Sequence, residues 1–417
     1  MGAFDGYAVL RQRDYRRFWF GQWISLIGTW MQSATQGWLL MTLTNSPLAL
    51  GFLGAAASAP LLLLVLVGGA TSDRVDRRRL ILVTQALSLL QALTLALLTL
   101  AGHIQAWQVI ALAAALGTIN AFDIPCRQAF VVELVGPDSV GNAIALNSSA
   151  FNIARVIGPA IAGVIVAAVG EGFCFLVNAV SYVAVLWSLW TIHPHFAAPR
   201  RHQPLTGAAI LDGVRYARDH PTIGPVLLLV SIISSVGVPY RNFLPAMARV
   251  VGANAWQYGL LMAAAGVGAS IGGLALAAFR VNREAYRRIL PVTVTMFAVT
   301  LFGYTMMRTY WMGLVFLTLV GVGGILYFNC TNSLIQLHVE DSYRGRVMSV
   351  YTLMHQGTAT FGNLLLGALA VRWGTPWALA SGALICLAAT AAFGAMPMRW
   401  VAARMAPAAE RVKTGAD

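Results

Sequence analysis

The feature that most constrains this chain is a series of long apolar stretches separated by short loops rich in arginine. Residues 48–70 and 80–101 are two such stretches. A helix needs roughly 20 apolar residues to cross the hydrocarbon core of a bilayer. The chain is 58% hydrophobic and only 10% charged, whereas soluble domains are about 25% charged. The sequence therefore predicts a polytopic, all-α membrane protein.

Twelve transmembrane helices are predicted by this pattern. Their expected bounds are 18–43, 48–70, 80–101, 106–126, 140–169, 173–192, 224–248, 256–279, 289–307, 311–336, 346–371 and 376–396. The longest connection, 193–223, separates an N-terminal six-helix bundle (1–192) from a C-terminal six-helix bundle with a short cytoplasmic tail (224–417). Within it, Ile210, Val214 and Ala217 share one helical face, which predicts an amphipathic helix lying on the surface of the bundle.

The basic residues predict the orientation of these helices. Of the 28 Lys and Arg residues, 23 fall in alternate loops, three fall in the others, and Arg155 and Arg241 lie inside spans. Loops rich in Lys and Arg remain cytoplasmic, so both termini are expected in the cytoplasm of a bacterial inner membrane. This orientation also accounts for the net charge of +13, and no nucleic-acid partner is expected.

Glycines repeat between the two halves. A shift of 204 residues places Gly158 and Gly163 on Gly362 and Gly367, and a shift of 208 places Gly51 on Gly259. Repeats of the same direction predict two halves related by an axis along the membrane normal.

One arginine-rich loop, residues 69–79, has a distinctive order. A glycine expected to pack closely, Gly69, precedes the carboxylate of Asp73, and Arg74, Arg77 and Arg78 follow. A basic loop of this kind is also common in any inner-membrane protein. The order resembles the loop between helices 2 and 3 of the major facilitator superfamily, although Asp76 stands where the superfamily pattern has a second glycine. The resemblance implies the major facilitator fold, two pseudo-symmetric six-helix bundles.

Span 5 contains Gly158, Pro159 and Gly163, with proline bending the helix and glycine allowing close approach. This stretch resembles the helix-5 pattern of proton-coupled exporters in the superfamily, except that Ala154 and Val164 replace two glycines. The resemblance favours export, and simple helix packing is the alternative.

Three further stretches carry a narrower resemblance: 123–130, 142–155 and 344–349. They are similar to the branch of the superfamily that includes the enterobactin exporter and related siderophore and macrolide exporters, of the transmembrane secretion effector type. The resemblance implies secondary export of a small molecule by alternating access. It favours a siderophore or a similar anionic, catechol-like metabolite. A multidrug or macrolide efflux pump and a lysolipid flippase remain alternatives.

Candidate substrate-binding residues follow from the spans that line the cavity in this superfamily. Ionisable groups inside spans usually face a water-filled path, which selects Arg155 and Arg241 first, with structural pairing as the alternative. The predicted substrate-binding set is Gln32, Gln36, Asn120, Arg155, Tyr240, Arg241, Asn242, Tyr327 and Asn329.

A gate and a proton path are predicted from the same patterns. Asp123 and His355 are the candidates for proton coupling, with a salt bridge to Arg127 and simple packing as their respective alternatives. Because no phosphate-binding loop is present, an ion gradient remains as the energy source. The predicted gating set is Gly69, Asp73, Arg74, Arg77, Arg78, Arg127, Gly158, Pro159, Gly163, Arg344 and Arg346.

Other classes of function have little support in the sequence. No catalytic motif of the His-Glu-x-x-His or Gly-x-Ser-x-Gly type occurs, so neither an enzyme nor a cofactor or metal is expected. A membrane scaffold or sensor would need a soluble partner-binding domain. The expected partners are a small-molecule substrate, the proton gradient and membrane lipids. A monomer is expected, and association with periplasmic or outer-membrane efflux proteins is left open.

Overall fold

The computed structural model describes residues 9–192, 207–278 and 283–395, and the regular structure within these ranges is entirely helical. The N-terminal half contains six long helices, α1 (Arg13–Thr44), α2 (Pro47–Ser72), α3 (Arg77–Leu100), α4 (Ala106–Val135), α5 (Val140–Val169) and α6 (Glu171–Thr191). The helix α7 (Gly207–Asp219) follows. The C-terminal half contains α8 (Ile223–Val236), α9 (Leu244–Val250), α10 (Ala255–Ala278), α11 (Arg283–Thr305), α12 (Tyr310–His338), α13 (Arg344–Thr352), α14 (Thr358–Trp373) and α15 (Thr375–Ala395).

Ten helical segments among the described residues are long and apolar enough to cross a membrane. Helix α1 and the segment α13–α14 are not among the ten, although each lies where a span is predicted. Both are comparatively polar, since α1 begins with charged residues and buries Gln32 and Gln36, and α13–α14 contains Arg344, Arg346 and His355. The count of twelve spans stays a prediction.

Two predicted spans are interrupted helices in the structure. The seventh, predicted over 224–248, consists of α8, a 3₁₀ segment at Val238–Phe243 and α9. Pro239 lies in this segment and has no backbone N–H to donate, which disfavours a continuous α-helix. The eleventh, predicted over 346–371, contains a π-helical turn at Leu353–Gly357 between α13 and α14. Such turns often occur at functional sites.

The repeated glycines make equivalent contacts in the two halves. A Cβ on Gly158 would meet Trp30 of α1, and a Cβ on Gly362 would meet the backbone of Ser235 on α8. Gly163 of α5 approaches Gly259 of α10, and Gly367 of α14 approaches Gly51 of α2. Each contact in one half therefore has its counterpart in the other, as expected for parallel repeats.

The two halves meet over only part of their length. We call the end that carries Arg13, Arg77 and Arg346 the arginine-rich end, and the end that carries Asn45 and Arg249 the opposite end. The described hydrogen bonds and close glycine contacts between the halves run from mid-depth to the opposite end, mainly through the pairs α2–α14, α5–α10, α1–α10 and α1–α9. The space between the halves is thus closed at the opposite end.

Helix α7 lies against the arginine-rich end of the C-terminal half. The ring of Tyr216 stacks on that of Tyr343, with centroids 4.3 Å apart, and Gly213 faces the backbone of Arg346. Ala217 is buried, as its predicted position on the apolar face requires, whereas Val214 is 37% exposed. The side chain of Ile210 lies outside the described residues. The docked face is therefore centred on Gly213, Tyr216 and Ala217.

Candidate substrate cavity and gate

Arg155 and Arg241 lie in opposite halves of the protein, near enough for the charge of Arg241 to act on Arg155. Arg155 lies at the middle of α5, and Arg241 lies in the 3₁₀ segment between α8 and α9. Their positive charges act on each other. Arg155 donates from Nη2 to the Asn152 side chain at 2.9 Å, and its buried Nε has no hydrogen-bond partner. Among the described residues, neither guanidinium pairs with a carboxylate, so both charges are uncompensated.

His355 lies at the centre of the π-helical turn. Its Nδ1 is 2.7 Å from Ser234 Oγ on α8, and its ring packs against Phe328 and Tyr351. The charge of Arg241 also acts on it. His355 therefore links the π-helical turn to α8, and it lies where the positive charge of Arg241 acts on it.

Asp123 makes its described contacts within the N-terminal half. It is 1% exposed. Its carboxylate pairs with Arg127 Nη2 at 2.6 Å and accepts hydrogen bonds from Thr84 Oγ1 at 2.7 Å and Gln85 Nε2 at 2.9 Å. Thr84 and Gln85 were not identified from the sequence. Their positions on the buried face of α3 become informative only once α3 and α4 are known to be neighbours.

The predicted residue Gln32 belongs to a buried amide network. Its Nε2 donates to Gln91 on α3 at 3.0 Å, and its Oε1 accepts from Asn178 on α6 at 2.8 Å. Its side chain thus links three helices of one half. Gln36 is 5% exposed and its Nε2 has no partner, whereas Asn120 is half-buried on α4.

The predicted residues of the C-terminal half fall into three environments. Tyr240 and Tyr327 are each 2% exposed and pack against Phe297 within the core. Asn242 donates to Asn363 at 2.8 Å, and both side chains lie against Gly54 of the other half. Asn329 lines a polar pocket of about 320 Å³ at the arginine-rich end of α12. The structure therefore places Arg155, Tyr240 and Arg241 in one region. It places Gln32 and Asn329 elsewhere.

The arginines of the predicted gating loop make their described contacts within the N-terminal half. Arg77 pairs with Asp73 at 3.5 Å and with Glu133 of α4. Arg78 donates to the carbonyl groups of Leu189 and Trp190 at the end of α6. Since cations near a helix C-terminus are favourable, Arg78 stabilises this end of α6.

The close packing expected of Gly69 is made by its neighbour. A Cβ on Gly68 would collide with the backbone of Ala121, while a Cβ on Gly69 would meet nothing within 4 Å. The prediction of close packing at Gly69 is therefore wrong for this conformation, because Gly68 lies on the face of α2 that packs against α4 and Gly69, one residue later, is turned away from it.

The remaining gating candidates divide between the two ends. At the arginine-rich end, Arg344 pairs with Asp341 at 2.6 Å and Arg346 with Asp212 of α7 at 3.8 Å. Pro159 and Gly163 lie at the closed interface, where Pro159 O and the backbone of Gly163 approach Gly259. Two polar contacts near the boundary between the halves were missed from the sequence. Ser58 Oγ lies 2.8 Å from Thr360 Oγ1 across the halves, and the Asn242–Asn363 pair forms within the C-terminal half against Gly54.

Comparison with known proteins identifies the family. The model of the transmembrane secretion effector family matches residues 4–414. The chain belongs to this family. The predicted resemblance to this branch of the major facilitator superfamily is confirmed.

Two named relatives align with most of this chain. The staphyloferrin A transporter of Staphylococcus aureus is 28% identical over 366 residues, with 85% of this chain and 88% of the relative covered. The enterobactin exporter EntS of Salmonella choleraesuis is 25% identical over 368 residues, with 88% of each chain covered.

Solved transporters share the fold of this secretion effector. The nucleoside transporter NupG superposes with a TM-score of 0.75 at 10% identity, covering 92% of this chain and 99% of that one. A bacterial homologue of the lysosomal transporter Spinster, in an inward-facing and occupied conformation, gives 0.72 at 14% identity, covering 94% and 97%. At these identities the likeness shows the fold alone, and it confirms the predicted transporter fold.

Proposed function

We propose that this protein exports an anionic small molecule, a siderophore with carboxylate or catecholate groups, by alternating access of its two halves. The observation that carries the proposal is the placement of Arg155 and Arg241, one in each half, where the charge of one acts on the other. Each half contributes one guanidinium, neither is neutralised by a carboxylate within the described residues, and each repels the other.

An anion between the two arginines would supply the missing negative charge and reduce the repulsion between the two guanidinium groups. It would compensate two positive charges, of which that of Arg155 is partly buried and therefore less screened by water. It would also accept charge-assisted hydrogen bonds, including one from the unpartnered Nε of Arg155. Because the arginines come from opposite halves, such a ligand contacts both moving parts, as a substrate of alternating access must.

The relatives support the choice of substrate class. Two of them are named for staphyloferrin A and for enterobactin. Export is further supported by the relative that is named as an enterobactin exporter. The loop charges predict that the arginine-rich end faces the cytoplasm of the inner membrane. The space between the halves is then closed on the periplasmic side.

The proton gradient is the proposed energy source, with Asp123 and His355 as the candidate carriers. Protonating Asp123 would break its pairing with Arg127, and a proton on His355 would add charge beside Arg241. The protein is proposed to act as a monomer with both termini in the cytoplasm, and to pass substrate to periplasmic or outer-membrane partners where these are present.

Transport by purified protein in liposomes tests the anion site. We expect Arg155→Gln and Arg241→Gln each to weaken export of staphyloferrin A or enterobactin by roughly 10- to 100-fold, since a hydrogen bond to a charged group contributes about 1.5–3 kcal/mol. Arg372→Gln is the matched control, because Arg372 is exposed at the far end of α14 and should leave export unchanged.

Other results would assign another function. Efflux of ethidium-like cations by the unaltered protein, with no transport of either siderophore, would overturn the proposal in favour of multidrug efflux. Transport of lysolipids alone would indicate a flippase on the same fold.

A further inference from the structure

Asn152 is the residue that holds Arg155 in position. It lies three residues before Arg155 on α5, where side chains share one helical face. Its Oδ1 accepts a hydrogen bond from Arg155 Nη2 at 2.9 Å, and its Nδ2 donates to the carbonyl of Ser148 at 2.9 Å. Because the two bonds use opposite ends of the amide, the orientation of the Asn152 side chain is fixed.

A neutral amide is an unusual partner for an arginine inside a membrane span. Charged side chains at this depth usually pair with one another, because an uncompensated charge is costly there. The Asn152 oxygen satisfies one guanidinium donor without cancelling the positive charge. A carboxylate at the same position would satisfy the same donor and cancel it. Asparagine and aspartate at position 152 differ only in that an amide NH₂ group replaces a carboxylate oxygen.

We infer that Asn152 determines the charge selectivity of the cavity, by orienting Arg155 while leaving its full positive charge to an anionic ligand. The inference rests on the proposed function and deepens it, since it concerns the same two arginines. It assigns Asn152 as a positioning residue and defines the ligand class as oxyanions such as carboxylates and catecholates. Arg241 of the opposite half supplies the second uncompensated charge.

The substitution Asn152→Asp tests the inference with almost no change in side-chain shape. The new carboxylate lies within reach of Arg155 and should form an ion pair with it, in competition with the ligand. We expect KM for staphyloferrin A in proteoliposomes to rise about tenfold or more, because a charge-assisted contact to the ligand is lost. Uptake of an ethidium cation should improve at the same time, since the repelling charge is removed.

Two variants separate charge from geometry. Asn152→Leu removes both hydrogen bonds without adding charge, so anion transport should fall less than in Asn152→Asp and cation transport should not improve. Asn254→Asp adds the same charge at the opposite end, where the side chain accepts from the Gln257 N–H at 2.9 Å. Asp forms the same helix cap, and transport should remain as in the unaltered protein.

The outcomes distinguish this inference from the proposed function. Normal anion export by Asn152→Asp, together with impaired export by Arg155→Gln, would overturn the inference and leave the proposed function intact. An equal loss in the Asp and Leu variants, with no gain for the cation, would assign Asn152 a purely structural role. Normal export by Arg155→Gln would remove the basis of both proposals.

Discussion

The two ends of the interface between the halves are built from different interactions. At the opposite end, glycines bring backbones together, as where Gly163 meets Gly259, and the ring of Tyr258 stacks on Trp38 with centroids 5.2 Å apart. At the arginine-rich end, the described ion pairs form within one half or with α7. Arg77 pairs with Glu133, and Arg346 pairs with Asp212.

This difference shows how each end can open and close. Closely packed backbones fit together in only one relative position of the two helices, because close-packed surfaces tolerate little change in shape. Charged side chains at a water boundary can exchange partners at small cost, since exposed ion pairs contribute only about 0–1 kcal/mol. We therefore expect the opposite end to set the balance between conformations and the arginine-rich end to adjust it.

The largest effect is expected where the backbones are closest. In Gly163→Leu the new Cβ would lie 3.0 Å from Ala255 O and 3.1 Å from Gly259 Cα, with further atoms beyond it. Overpacking costs roughly 1–3 kcal/mol, which corresponds to a shift of about 5- to 150-fold away from the conformation closed at this end. Spin-label distances between α5 and α10 should lengthen, and transport should fall.

Gly141→Leu is the matched control for this prediction. It makes the same change on the same helix, at the arginine-rich end, where a Cβ would meet nothing within 4 Å. Equal distances in Gly163→Leu and Gly141→Leu would show that close backbone packing does not hold the opposite end closed.

A smaller effect is expected from the acidic residues of the 69–79 loop. Asp73→Asn removes the pairing with Arg77 at 3.5 Å, in which the Asp73 side chain is 40% exposed. Exposed pairs contribute up to about 1 kcal/mol, so the balance between conformations should change by about fivefold at most. We expect transport to fall while membrane insertion stays normal.

Asp76→Asn removes the same charge from the same loop and serves as the control. Asp76 Oδ1 accepts from the backbone N–H of Arg79 as the N-cap of α3, and asparagine caps a helix equally well. Transport should stay near normal in this variant. If both variants lose transport alike, net loop charge matters and the Asp73–Arg77 pair has no separate role in gating.

Those features that depend on local pattern were predictable from the sequence. Apolar length located the helices, and the predicted bounds of α5, 140–169, agree with Val140–Val169 in the structure. Glycine spacing anticipated the contacts of Gly163 and Gly367, because a shared repeat places equivalent residues at equivalent interfaces. The two uncompensated arginines were identified as ionisable residues inside spans.

Features that depend on the relative placement of helices were not predictable. Gln32 was assigned to the cavity because it lies on the first span, yet its face meets Gln91 and Asn178. The amphipathic pattern of α7 does not reveal that Tyr216 rather than Val214 faces the bundle. Asn152 could have been found, since it lies one turn before Arg155, but only the structure shows that its oxygen holds the guanidinium.

The smallest effect is expected from α7, which lies against the arginine-rich end of the C-terminal half. His220, just after this helix, accepts hydrogen bonds at Nδ1 from the backbone N–H groups of Thr222 and Ile223, at 3.2 and 3.3 Å. A proton on Nδ1 would break both. Burial, and then the neighbouring His338, lower the pKa of His220 below its ordinary value, while Glu340 opposes the shift.

The sign of the pH dependence follows from that lowered pKa. Released α7 would bind the proton more tightly than docked α7, so docking is strongest above about pH 6.5, the ordinary histidine value, and weakens as pH falls through the lowered pKa. Distances between spin labels at Arg218 and Ser342 should lengthen on acidification, with a change in transport of about twofold. His220→Asn keeps an acceptor near the Nδ1 position without titrating, and should abolish the pH response. An unchanged pH response in His220→Asn would show that another group titrates. A distance independent of pH in the unaltered protein would show that α7 stays docked and does not change the balance between conformations at the arginine-rich end.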